Sequence, residues 1–433
     1  MSLLPQCLSK RHTWEMSLAH TLAGVRRRRP LVTATATLLA VLAILGGPAA
    51  LARGGQDGHW VATWSASPQP AASPIQLNGQ TVRQIVHVSL GGEGLRVRVS
   101  NAYGASALVI GSAHVALSAG EGSIFAGTDQ ALRFNGSLTI AIPTGAVVVS
   151  DPVALDVPPL GDLAVSLYLP EDITATTEQT VALQTTYISA PGDFTGAITF
   201  PAASTTQSYY FLSGAEVNAS KRAKAVVALG DSVTVGVGST PDTNQRWPNL
   251  LALRLQSTAS TSQVAVVNAG VVGNRVLHDF VGTGALARLD RDVLVQSGVG
   301  YLIVLQGNAD ILIPPLTGNP AEAVTVGQIV QGHRQIIDRA HAQGLQVFGC
   351  TLNPVEGYPF QGFWTPDLEE KRLAVNRWIR RSGAYDAVID FDRVLRDPSH
   401  PSRLRPDYDS GDHVHPNDAG HQAMANAIDL ALF

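Results

Sequence analysis

The sequence predicts an all-β sandwich or jelly roll over residues 53–220, followed over 221–433 by a three-layer α/β/α sandwich around a five-stranded parallel sheet. Two patterns carry this. Over about 59–220, short β-rich runs are separated by Gly, Pro, Asn and Asp, with no helical period of useful length, as in strings of hairpin-connected strands. After Lys221 the rhythm changes to strand, loop, helix, which argues for parallel strands covered on both faces.

Ahead of both halves lies a stretch that belongs to neither. Arg26 to Arg29 precede an uncharged run over residues 30–52, rich in Leu, Ala and Val, that ends in the small-residue pattern Ala50-Leu51-Ala52. This is the form of a secretory signal peptide, placed at 1–52. Met16 is a more usual start for such a leader than Met1. Arg28-Arg29-Pro30-Leu31-Val32 has the look of a bacterial twin-arginine signal, although a bare arginine run also serves ordinary secretion. The run is also long enough for an uncleaved anchor; the small residues at its end favour cleavage. The expected address is therefore extracellular or periplasmic, with no stable membrane association once the leader is removed.

Charge agrees with that address. Residues 1–52 hold Lys10, Arg11 and Arg26 to Arg29 against Glu15, a net of +5, so with −4 for the whole chain the remainder carries −9. An acidic surface disfavours nucleic acid and anionic membranes as partners. Of the two cysteines, Cys7 leaves with the leader and Cys350 sits in an apolar strand-like run, so no internal disulfide is expected. Cys350 reads as a small hydrophobe, and stability must come from core burial.

In the first half, Leu95–Ser100 alternates strictly, as a half-buried strand should, and Asn101-Ala102-Tyr103-Gly104 supplies the turn. Further strands are expected within 108–117, 138–142, 146–149, 163–169 and 180–188. In the second half, strands are expected at 224–229, 264–267, 301–305, 347–351 and 387–389, with helices at 246–255, roughly 284–295, 321–343, 366–382 and 419–432. In the third helix Ile329, Ile336, Ile337 and Ala340 share a face, leaving His333 and Arg334 to point outward. Trp247 reads as the anchor of the first helix.

In such sheets ligands bind beyond the carboxyl ends of the strands. Ser232 follows the first strand, Gly273 the second, and Asn308 with Ala309 the third, so these residues converge on one rim. A serine hydroxyl is a poor nucleophile until a histidine takes its proton and a carboxylate holds that histidine in the right tautomer. The loop Asp412-His413-Val414-His415-Pro416 offers both, with Asp412 three residues before His415. The pattern Gly230-Asp231-Ser232-Val233 lacks the second glycine of a nucleophile elbow, which disfavours the α/β-hydrolase fold. Gly236-Val237-Gly238 has neither a third glycine nor a following lysine, so it is a poor phosphate loop.

Four segments, Gly230-Asp231-Ser232, Asn268 to Asn274, Gly307-Asn308-Ala309-Asp310 and Asp412 to Pro416, resemble the blocks of the SGNH, or GDSL, esterase and lipase superfamily. Trp60 to Ser65 and Arg96 to Asn101 resemble the β-domain that precedes it in a secreted bacterial branch. The resemblance implies a flavodoxin-like SGNH fold and a carboxylic ester hydrolase with Ser232 as nucleophile and Asp412 and His415 completing a triad. It also implies an oxyanion hole from the backbone N–H of Ser232 and Gly273 and an asparagine side chain of the third block. Aligning Gly307 and Asp310 without a gap puts Ala309 at the asparagine position and Asn308 one residue early. Either Asn308 reaches the oxyanion, or the hole runs on two backbone donors.

The implied reaction, on a small-molecule or glycan ester, needs no metal or cofactor. Duller roles are open to the other candidates. His413 with His415 and Asp412 is a thin metal-ligand set, and solvent exposure is the plainer reading for His413. Asp390 and Asp392 suit a turn and cap. In the loop 353–365, Tyr358, Phe360, Phe363 and Trp364 either line an acyl pocket or pin the loop. A rival function is a glycan-binding or surface-interaction protein with a weakened hydrolase half, and Ala309 is the residue that favours it.

Overall fold

Five parallel strands, β10 (Lys224–Gly230), β11 (Val264–Gly270), β12 (Val299–Leu305), β13 (Gln346–Cys350) and β14 (Ala387–Ile389), form the centre of the second half in the order β11-β10-β12-β13-β14. The computed structural model describes residues 58–359 and 362–433; the expected leader, 1–52, and Phe360 lie outside the described residues. Each strand lies within a few residues of its expected position, and β10, β11 and β12 are apolar runs buried over most of their length on both faces. On one face Val226, Ala228 and Ile303 pack against Trp247 and Leu251 of α2 (Trp247–Gln256), and against Phe391 of α7 (Phe391–Leu395) and Met424 of α8 (Asp418–Asn426). On the other, Val227, Leu302 and Val304 pack with Leu289 of α3 (Ala285–Leu289), Ile329 and Ile336 of α5 (Val326–Ala342), and Val375 of α6 (Pro366–Arg381). This is the three-layer sandwich, with α1 (Ser232–Val235) and α4 (Asn308–Thr317) seated at the carboxyl ends of β10 and β12.

Helix ends follow local chemistry. Thr325 caps α5 through a reciprocal box with Gln328, so the helix starts five residues later than its apolar period suggests. The expected helix over 284–295 changes at Asp290 into a π-helical turn that runs to Leu294. His333 departs from expectation: it is fully buried. Its Nδ1 lies 2.5 Å from the Tyr385 hydroxyl and its Nε2 3.1 Å from the Gln306 carbonyl, and burial pushes the imidazole down to about 4. A neutral ring with both nitrogens engaged is tolerated in the core, which periodicity alone does not reveal.

The first half consists of β1 (His59–Ser65), β2 (Gln80–His87), β3 (Leu95–Ser100), β4 (Ser112–Gly120), β5 (Val147–Val149), β6 (Asp162–Tyr168), β7 (Thr186–Pro191), β8 (Ala202–Thr206) and β9 (Leu212–Ala219), with further short strands. One sheet runs β1-β9-β3-β5; a second runs β8-β7-β2-β6-β4 and continues into short edge strands. Leu95, Val97 and Val99 of β3 are buried in the core, as the alternation requires, while Arg96 and Arg98 on the other face both bind the buried Glu216 of β9.

Among the described residues the two halves form one compact unit. The junction falls on β11, the edge strand of the parallel sheet. Its Val266 N–H donates to Ser89 Oγ at 2.9 Å, and its Asn268 carbonyl accepts from Ser65 Oγ at 2.9 Å. Side chains of the β half thus occupy backbone groups that an open edge would leave bare. Deeper in the junction, Arg288 of α3 is buried. Its guanidinium donates to Asn274 Oδ1, Asp292 Oδ2, Ser67 Oγ and the Gly230 carbonyl, at 2.8, 3.0, 3.1 and 3.2 Å. Burial lowers its pKa, and Asp292 opposes that shift.

Removing the anion from such a pair strands a charge in the core. Asp292→Ala is expected to destabilise the protein by about 3–5 kcal/mol, measured by urea unfolding; a loss near zero would mean that solvent reaches Arg288.

Candidate active site

Strand β10 ends at Gly230, and a helix begins two residues later. Asp231 caps α1 by accepting the Val233 N–H at 3.0 Å, which sets Ser232 as the first helical residue. Burial pushes the Asp231 carboxyl up to about 6, against the Val233 N–H and the nearby His415, which pull it down. After α1 the chain turns back through Gly236 and Gly238 to receive the C-terminal loop. Gly238 has φ +92°, and a Cβ there would stand 2.3 Å from the Pro416 carbonyl oxygen and 3.2 Å from His415 Cβ. The close approach of the two loops requires this glycine. Thr240 completes the contact, with its N–H and hydroxyl donating to the Asp418 carboxylate at 2.7 and 2.6 Å.

The three expected residues meet. His415 Nε2 lies 2.8 Å from Ser232 Oγ, and His415 Nδ1 lies 2.5 Å from Asp412 Oδ2. A carboxylate only accepts, so Nδ1 carries the proton and Nε2 is left to accept from the serine hydroxyl. Asp412 is held in turn by its own loop: its Oδ1 accepts the N–H groups of Val414 and His415 at 2.9 and 2.8 Å. Partial burial alone would raise the Asp412 carboxyl. The His415 hydrogen bond and charge, with the two backbone N–H groups, outweigh that and hold it well below the usual carboxylate range.

Ser232 and His415 open into a cavity of about 320 Å³ that Gly273, Asn308 and Ala309 also border. Most of its remaining wall is apolar, including Phe280, Leu312, Tyr358 and Phe363. The aromatic loop therefore serves two ends. Tyr358 and Phe363, with ring centroids 4.1 Å apart, face the cavity, while Trp364 packs beside Ile311 and Leu368.

Asn308 sits at the cavity with its amide turned aside. Its Nδ2 donates to Asn353, to the side-chain Oδ1 at 3.0 Å and the main-chain carbonyl at 3.2 Å. Asn353 Nδ2 in turn donates to the Val414 carbonyl at 3.0 Å, next to His415. Asn353 thus ties the histidine loop to the start of α4. It escaped the sequence reading, although it shares the signal that marked Ser232 and Asn308, a polar residue just past a strand's carboxyl end. Asp310, the last residue of the third block, accepts the N–H groups of Val276 and Leu277 at 2.7 and 3.3 Å and so ties α4 to the segment after Gly273; burial pushes its carboxyl up to about 6.

The remaining candidates take structural places. His413 is half exposed, with Nδ1 2.5 Å from Asp409 Oδ2, so the two histidines of this loop serve separate carboxylates. Among the described residues no group of three or more His, Cys, Asp or Glu is arranged to hold a metal ion. Asp390 caps α7 and binds Arg380, and Asp392 is buried among Arg372, Arg380 and Arg396. Cys350 is buried, which pushes its thiol up, and Trp247 is wholly inside the core.

Residues 228–423 match the GDSL-like Lipase/Acylhydrolase family. No curated protein matches the chain. Among solved structures it is similar to a GDSL-like lipase from Bacteroides thetaiotaomicron, with 18% identity over 49% of this chain and 90% of that one and a TM-score of 0.37. It is similar also to the acetyl xylan esterase AlAXEase, with 19% identity over 48% of this chain and 100% of that one and a TM-score of 0.37. A third is a proposed lipolytic protein of the G-D-S-L family from Desulfitobacterium hafniense, with 23% identity over 47% of this chain and 97% of that one and a TM-score of 0.34. Over residues 228–423, a little under half of its length, the chain is thus similar to the GDSL-like lipase/acylhydrolase family.

Proposed function

We propose that the protein is a secreted serine esterase that works through Ser232, His415 and Asp412. The observation that carries this is the 2.8 Å contact between Ser232 Oγ and His415 Nε2 at the mouth of an apolar cavity. Ser232 Oγ attacks the ester carbonyl while its proton passes to His415 Nε2. The tetrahedral oxyanion collapses, the bond to the alcohol breaks, and the imidazolium returns the proton to the departing alkoxide. Water, deprotonated by the same imidazole, then attacks the acyl-enzyme, releases the carboxylic acid and restores the serine. Export rests on the leader sequence over 1–52; no helix among the described residues is long and apolar enough to cross a membrane.

For the oxyanion, the backbone N–H groups of Ser232 and Gly273 are the principal donors. Asn308 is the candidate for a third donor, but its amide is engaged by Asn353 and reaches the oxyanion only by giving up that bond.

Ser232→Ala is expected to abolish hydrolysis of a short p-nitrophenyl ester; retained turnover by the pure variant overturns the mechanism. In the pH profile of kcat/KM, activity should fall on the acid side as the imidazole takes a proton and can no longer accept one from Ser232. Because the Asp412 carboxyl is held well below its usual range, it stays ionised throughout that fall and adds no proton to the acid limb. The Asp231 carboxyl, pushed up to about 6, adds one; a two-proton limb that persists in Asp231→Asn would count against the assigned roles. Losing a working oxyanion donor costs about 10²–10³ in kcat. Asn308→Ala should cost well under that, and Ala309→Asn should raise kcat; a full hundredfold loss in the first would place Asn308 in the hole in the working state.

A further inference from the structure

The cavity beside Ser232 is not built by the α/β half alone. One of its walls is Val181, which lies in the β half between β6 and β7. The segment that carries it is fastened to the catalytic half at several points. Gln179 Nε2 donates to the Gly270 carbonyl at the end of β11, at 3.3 Å. Thr185 gives both its N–H and its hydroxyl to the Asp242 carboxylate at 2.6 Å, and the Asp242 N–H returns a bond to the Leu183 carbonyl at 3.1 Å. Asp242 stands in the loop that follows the nucleophile helix, so one loop links α1 to the segment that carries Val181. A side chain fixed by bonds on either side of it marks a set dimension of the cavity.

The chemistry of the lining says what that dimension measures. Apart from Ser232, His415, Asp231, Asn308 and the Tyr358 hydroxyl, the side chains round the cavity are apolar, and none is a lysine, arginine or glutamate. Phe280 and Leu316 reach its rim with 43% and 40% of their surface exposed, large values for such residues. With no cation in the lining a phosphate finds no counter-charge, and the apolar majority of the wall favours a hydrocarbon chain, which loses no hydrogen bonds by entering.

Building on the esterase reading, we propose that the β half is a working wall of the substrate site. Val181 sets the length of the acyl group, and the preferred substrates are esters of apolar acyl chains longer than acetyl. The alcohol portion stays outside the cavity.

The test uses the chain from Arg53 onward and p-nitrophenyl esters from acetate to dodecanoate. In the unaltered protein kcat/KM should climb about fourfold for each methylene added, up to a limit. Val181→Phe should lower the octanoate-to-acetate ratio of kcat/KM at least tenfold, and Val181→Ala should move the limit to longer chains, with unfolding midpoints checking that both variants fold. An optimum at acetate, or a ratio unmoved in both folded variants, overturns the proposal while leaving the esterase intact. Binding of decanoate, followed by calorimetry in Ser232→Ala with and without Val181→Phe, separates the two readings. Decanoate bound in a Val181-dependent way by a protein that turns over no ester would sink the esterase reading and uphold the acyl pocket; no binding and no turnover would sink both.

Discussion

One buried cation holds the architecture together. Arg288 reaches the carbonyl of Gly230 at the end of the nucleophile strand, Asn274 just beyond the second block, Asp292 on its own helical segment and Ser67 from the other half of the chain. A guanidinium so far from water is tolerable only when each of its donors is met, and these are. The position of Ser232, one strand end away from that carbonyl, therefore depends on four segments being in place at once. The β half is one of them, so it is part of what aims the serine.

Above that foundation the site is assembled from loops that brace one another. Gly238 lets the nucleophile loop and the histidine loop close to van der Waals distance, Asp412 is fixed by the backbone it precedes, and Asn353 joins the histidine loop to α4. Each contact restricts the imidazole in a different direction. An imidazole held this way reaches the serine without first having to be ordered.

Much of this was legible in the chain itself, and the reason is local. The strands of the parallel sheet are apolar runs bounded by turn residues, Ser232 stands out as a polar residue just past a strand end, and Asp412 and His415 stand out as a carboxylate and an imidazole three residues apart in one loop. What escaped depends on partners far away in sequence. His333 sits on a helix face that periodicity assigns to solvent, yet Tyr385 and Gln306 enclose it. Asn353 looks like any loop asparagine until Asn308 and Val414 are brought beside it. The helix Asn308–Thr317 was unreadable because it carries Pro314 and Pro315 inside a short, largely apolar run, features that mask its period.

The junction along β11 also bears on how the polypeptide can be divided. Ser65 and Ser89 stand in for a neighbouring strand, quenching an N–H and a carbonyl on the outermost ribbon of the sheet. A fragment trimmed to the hydrolase half would bare that ribbon along with the apolar surface behind it. Such a surface is a template on which copies zip together, so the truncated enzyme would be prone to clump where the intact chain is shielded.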